Sequence, residues 1–147
     1  MRKVVITGLG FVTSIGNTKK QVMNSLINMN SGIELFQPFL NNDKIPVKVA
    51  GTIKGFNIDS EDQEDWTGTS LKIEKTLKKD KKRGMSPHVF YAVHALESAL
   101  EDSNLNYSMI SNPRVGLYTA SSGSSLFMYR NIDTMHKRGV MRGKPLS

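Results

Sequence analysis

The opening run Val4-Val5-Ile6, followed at once by Thr7-Gly8-Leu9-Gly10, constrains this chain more than any other feature. Three consecutive β-branched residues make a strand that is apolar on both faces, and such a strand needs cover on both sides. A run of the same kind, Val115 to Thr119, comes back late in the chain. Strands of that type separated by helical patterns predict an α/β fold.

Local signals fill in the order of elements. Asn17 or Thr18 can cap a helix running to about Asn28, with Val22, Leu26 and Met29 on one face. Pro38, Asn41-Asn42-Asp43 and Pro46 mark an irregular stretch, and Val47 to Phe56 reads as a strand broken by Gly51 and Gly55. Ser86-Pro87 is a capping hydroxyl followed by a first-turn proline. The helix it starts is expected to reach about Ser103, on an apolar stripe of Val89, Val93, Leu96 and Leu100. Ala120 to Ser125 reads as a small-residue loop. A helix from Leu126 to about His136 follows, with Phe127, Ile132 and Met135 as core candidates. The chain ends in a basic, glycine-containing stretch, Lys137 to Lys144, that leads into no further element.

Several chemistries are excluded by spacing. Gly8-Leu9-Gly10 after a strand invites a dinucleotide site, but Thr13 stands where the third glycine belongs. Tight turns and close packing explain Gly8, Gly10 and Gly16. His88 and His94 are six apart and do not share a helix face as metal ligands would. The acidic stretch Glu61 to Asp65 lacks the ligand alternation and glycine of a calcium loop. Ser121 to Ser125 lacks the flanking glycines of a nucleophile elbow and the lysine of a phosphate loop. With no cysteine in the chain there is no disulfide, no thiolate metal site and no thiol nucleophile. No cofactor is expected.

The net charge is +7, concentrated in Lys72 to Arg83. This run lacks the interleaved aromatics of a base-stacking surface, and an acidic protein suits it equally well. Neither a leader-type apolar core nor a membrane-spanning run is present, and a cytoplasmic protein without membrane partners is expected.

Taken in order, the segments resemble a known family. Val5-Ile6-Thr7-Gly8-Leu9-Gly10-Phe11-Val12-Thr13-Ser14-Ile15-Gly16-Asn17 is very similar to the opening of the β-ketoacyl-acyl-carrier-protein synthases. Ser31-Gly32-Ile33 follows at the family's spacing, and Arg83-Gly84-Met85-Ser86 resembles its Arg-x-Met-Ser, directly before a helix ending Ala-Leu-Glu-Asp-Ser-Asn-Leu. Asn112-Pro113-Arg114-Val115-Gly116-Leu117 is in the style of the type I bacterial condensing enzymes. The resemblance implies the N-terminal part of a thiolase-like α-β-α-β-α layered fold, as one incomplete domain over residues 1–147 and usually dimeric. Its activity would be acyl-chain elongation by decarboxylative Claisen condensation. The family's cysteine and both its histidines fall outside the matched region, so no residue here is assigned a catalytic role and this chain alone is expected to be inactive.

The resemblance also implies docking of an acidic acyl carrier protein. Arg83 matches one docking position. A neighbouring lysine of the family falls on Asp80, with Lys79, Lys81 and Lys82 as substitutes. Arg138 matches a second patch, whose next basic position falls on Met141, beside Arg142. Gly123 matches one glycine of a loop near the family's acyl pocket, where Ser122 and Ser124 replace its neighbours. The alternatives are a polyketide ketosynthase relative, a non-catalytic carrier-binding partner, or, from another class, a basic nucleic-acid-binding protein. The ordered motifs favour the synthase, with no nucleic acid as partner.

Overall fold

The structure, a computed structural model, describes residues 3–69, 77–121 and 125–139. In chain order the elements are α1 (Lys19–Ile27), β1 (Ile33–Leu35), α2 (Gln37–Leu40), β2 (Val49–Gly51), α3 (Lys79–Lys82), α4 (Pro87–Asp102), α5 (Tyr107–Ile110) and α6 (Ser125–Arg138), with a 3-10 turn at Gln63–Asp65. The arrangement is mixed helix and strand.

Capping chemistry sets the helix ends. Thr18 is the N-cap of α1, its hydroxyl accepting from the Gln21 amide at 3.2 Å. The Gln21 side chain reaches back to accept from the Asn17 amide at 2.9 Å. At the other end Met29 takes φ 53°, and the Asn30 amide donates to the Ser25 carbonyl at 2.8 Å. The Met29 amide donates to the Leu26 carbonyl at 3.2 Å, which completes a Schellman closure. The same closure ends α4, with Asn104 at φ 55° and the Leu105 amide donating to the Leu100 carbonyl at 3.1 Å. Ser86 occupies the N-cap of α4, but its hydroxyl does not cap. It bonds to the His88 ring, 3.0 Å from Nδ1, and Pro87 in the first turn removes one amide that would otherwise need a partner.

Both strands expected to be buried on two faces are corrected. No strand pairing occurs over residues 3–10 or 115–121, and their apolar side chains stand outward: Val4 is 94% exposed and Tyr118 96%. A strand exists only with a hydrogen-bonding neighbour, and none of the described residues supplies one there. The sheet among the described residues is instead β1 against β2, antiparallel, in the register Ile33 to Gly51, Glu34 to Ala50 and Leu35 to Val49. The strand expected from Val47 to Phe56 is thus cut to Val49–Gly51.

The core also differs from expectation. On α4 it is Phe90 and His94 that are buried, whereas Val89, Val93 and Leu100 are half-buried and Leu96 is exposed. Phe56 meets Phe90, Tyr91 and His94 edge-on, with centroids 6.0, 5.1 and 4.9 Å apart, and Trp66 meets Phe90 at 5.7 Å. These aromatic neighbours, at favourable T-shaped geometry, draw that face of α4 inward. On α1 only Val22 is buried, with Leu26 and Met29 exposed. On α6 neither Ile132 nor Met135 is buried, and the Phe127 side chain lies outside the described residues.

The opening segment is held to α4 by its glycines. A Cβ on Gly10 would sit 1.8 Å from the Ala95 carbonyl oxygen, and one on Gly8 2.2 Å from that of Ala99. Only glycine lets the two backbones approach so closely. Asp102 fastens the same junction, accepting from the Leu9 amide at 3.0 Å and from Lys19 Nζ at 2.9 Å.

Candidate docking face

The expected docking residues fall into two groups around one acidic loop. In the first, α3 leads into Arg83 and then Gly84, whose φ of 85° turns the chain toward α4. Lys81 is exposed on this short helix, and Lys79 opens it, although its side chain lies outside the described residues. Lys82 is a correction. It is only 4% exposed, its Nζ donates to the Trp66 carbonyl at 2.5 Å, and it lies 5.7 Å from the centre of the Phe90 ring. Its stem packs on the aromatic core and its ammonium serves a buried carbonyl. Lys82 therefore has no surface to offer a partner, whereas its neighbour Arg83 is exposed.

The second group is Arg138, the last residue of α6, exposed and followed by Gly139 at φ 68°. Gly123 and Arg142 lie outside the described residues. Lys137, one residue before Arg138, pairs with Asp133 one turn earlier at 2.6 Å, and that hydrogen bond holds the ammonium above its ordinary range.

Between the groups runs the loop of Asp59 to Asp65. Arg83 Nε donates to Glu64 Oε1, and Arg138 Nη2 donates to Glu61 Oε2 at 2.8 Å. The loop is shaped from within. Trp66 Nε1 donates to the Ser60 carbonyl at 2.9 Å, the Asp62 amide to the Ser60 hydroxyl at 3.1 Å, and the Glu64 amide to Asp62 Oδ1 at 3.3 Å. Its carboxylates follow from local sequence, but their pairing with Arg83 and Arg138 joins three distant segments and has no sequence signal. Burial, and then the Asp59 carboxylate, raise the Tyr91 hydroxyl above its ordinary range. A polar cleft of about 300 Å³ lies between the loop and α6, lined by Glu61, Gln63, Arg130 and Asp133 among others.

Two further clefts have different linings. Val89, Val93 and Leu96 of α4 face Leu117 and Ala120 across an apolar cleft of about 390 Å³. Thr13 to Thr18, Gln21 and Lys54 are among the residues lining a shallower polar one of about 610 Å³. His94, 2% exposed, donates from Nδ1 to the Phe90 carbonyl at 2.9 Å and lies against Gly68, where a Cβ would come 2.1 Å from Nε2. It belongs to the core, a placement that the sequence spacing does not reveal.

Known proteins place these features in a family. Residues 1–146 match the family model of the β-ketoacyl synthase N-terminal domain. The chain is 37% identical over 125 residues to 3-oxoacyl-(acyl-carrier-protein) synthase 1 of Buchnera aphidicola from Schizaphis graminum, covering 84% of this chain and 26% of that protein. It is 36% identical over 126 residues to the enzyme of the same name from Escherichia coli K12, covering 85% of this chain and 27% of the relative. It is 28% identical over 142 residues to synthase 2 of Vibrio cholerae, covering 97% of this chain and 30% of the relative. The chain thus spans between a quarter and a third of the length of these relatives. Since the family model matches nearly the whole of this chain, the chain belongs to the β-ketoacyl synthases.

Proposed function

We propose that this chain is the N-terminal part of an enzyme that elongates acyl chains on a carrier protein by decarboxylative Claisen condensation, and that it contributes scaffold and carrier docking. The reading rests most on one observation: Arg83, at the family's Arg-x-Met-Ser position, stands exposed at the end of α3 while the lysine before it is buried. The relatives' names speak of acyl-carrier-protein synthases. In such chemistry a cysteine thiolate takes the acyl group as a thioester. Malonyl-carrier protein then loses carbon dioxide, and the resulting carbanion attacks that thioester, breaking its carbon–sulfur bond and expelling the cysteine thiolate. This chain has no cysteine, so the nucleophile belongs to another part of the protein.

On this reading Lys79, Lys81, Arg83, Arg138 and Arg142 form the docking face for an acidic carrier protein. Exposed cations such as Lys81, Arg83 and Arg138 raise the encounter rate and are screened by salt. The unpaired apolar segments 3–10 and 115–121 become inner strands of a thiolase-like layered fold when the rest of the protein covers them. Gly123 belongs to the acyl-pocket loop. A homodimer and a cytoplasmic location complete the proposal.

The test is steady-state condensation by the full native protein with malonyl-carrier protein as the varied substrate. Arg83→Gln with Arg138→Gln should raise KM for the carrier-bound substrate about threefold to thirtyfold and leave kcat nearly unchanged. The effect should shrink as salt rises. An unchanged KM at low salt would refute docking at these residues. Retention of nucleic acid at physiological salt, with no affinity for carrier protein, would favour the nucleic-acid reading.

A further inference from the structure

The docking face is already occupied from within. Arg83 and Arg138 come from different elements, yet both donate to carboxylates of one loop, Glu64 and Glu61. That loop concentrates Asp59, Glu61, Asp62, Glu64 and Asp65 in a short stretch. Its shape does not depend on the arginines. The hydrogen bonds of Trp66 Nε1, the Asp62 amide and the Glu64 amide hold it, and Trp66 itself is buried. A preformed acidic loop thus presents to two exposed arginines the same chemistry that an acidic protein would bring.

We infer that the loop of Asp59 to Asp65 is an internal competitor for the docking arginines, so that an acidic partner binds by exchanging the Arg83–Glu64 and Arg138–Glu61 pairs for its own. The inference rests on the docking reading above and adds regulation of that face. Both pairs lie at the surface, with the Glu64 side chain half-buried, and surface pairs shift an equilibrium by no more than about fivefold each. The loop therefore tunes affinity and does not close the face. It also sets a specificity threshold: a weakly acidic protein does not displace it, whereas a densely acidic one does.

The experiment measures binding of acyl carrier protein to the full native protein at low salt, in a double-mutant cycle. Glu61→Gln with Glu64→Gln should tighten binding about threefold to tenfold. The same two substitutions made together with Arg83→Gln and Arg138→Gln should change binding by less than about twofold, because nothing remains to be released. Equal tightening in both backgrounds would reveal a general charge effect and overturn the competitor. So would no tightening at all in a protein whose binding Arg83→Gln and Arg138→Gln still weaken, which would leave the docking reading standing. If those arginine substitutions leave binding unaltered, the docking reading itself falls, and the competitor with it.

Discussion

Lys82 and Arg83 are adjacent cations with opposite fates, and the difference is set by what lies beside each. Lys82 is at the inner side of α3, against Trp66 and Phe90, while Arg83 follows the helix outward to Glu64. Replacing Lys82 with Met keeps most of the apolar stem but removes the donor to the buried Trp66 carbonyl, and should cost about 1–3 kcal/mol of stability. Arg83→Gln at the surface should stay within about 0.5 kcal/mol. Urea unfolding of the two variants in the full native protein checks this, and equal losses would contradict the inward placement of Lys82. This contrast shows where the sequence is silent. A run of lysines and arginines is legible as basic, and Arg83 is legible through its motif. Which lysine is buried depends on Trp66 and Phe90, brought there by other parts of the chain.

At the scale of elements, helices are legible because their signals are local. Thr18 and Pro87 lie within a turn of the ends they mark, and α1, α4 and α6 are found within a few residues of their expected bounds. Strands depend on distant partners. Ile33–Leu35 is too short to show alternation and exists through its pairing with Val49–Gly51, while Val4-Val5-Ile6 has every strand propensity and no partner among the described residues. The joint between elements at Asp102 can be tested by pH. The Lys19 ammonium, and then the Leu9 amide, hold the Asp102 carboxyl below its ordinary value near 3.8. Its folded value is the lower one, so the unfolded chain binds the proton first. The junction of the opening segment, α1 and α4 is therefore at full strength above about pH 5 and weakens as pH falls through the folded value. Asp102→Asn should flatten the acid side of the stability profile of the full native protein. An unchanged slope below pH 4 would show that the carboxylate does not hold the junction.

For the whole molecule the decisive fact is how little of the apolar surface is covered. Among the described residues, Val22, Trp66 and Phe90 form the buried apolar core, while Val4, Val5, Ile6, Leu117 and Tyr118 all face outward. So small an apolar core among the described residues sets little burial against the conformational entropy of ordering a chain this long. The exposed apolar segments are also those with the highest strand propensity, so their missing cover is a sheet neighbour as well as an apolar layer. The fold class follows from them only if that neighbour is supplied by sequence the relatives possess and this chain does not span. Two consequences come together. The isolated 147-residue chain should melt over a broad range without a cooperative transition and should bind a hydrophobic dye such as ANS strongly, as a loosely packed state does. The full native protein should melt cooperatively and bind the dye weakly. Far-ultraviolet circular dichroism of the isolated chain should still report helix, since α1 carries its own N-cap and both α1 and α4 carry their own C-terminal closures. A sharp, dye-free transition in the isolated chain would mean that segments 3–10 and 115–121 are stable where they stand. The layered arrangement would then lose its physical motive, even though membership in the family would not.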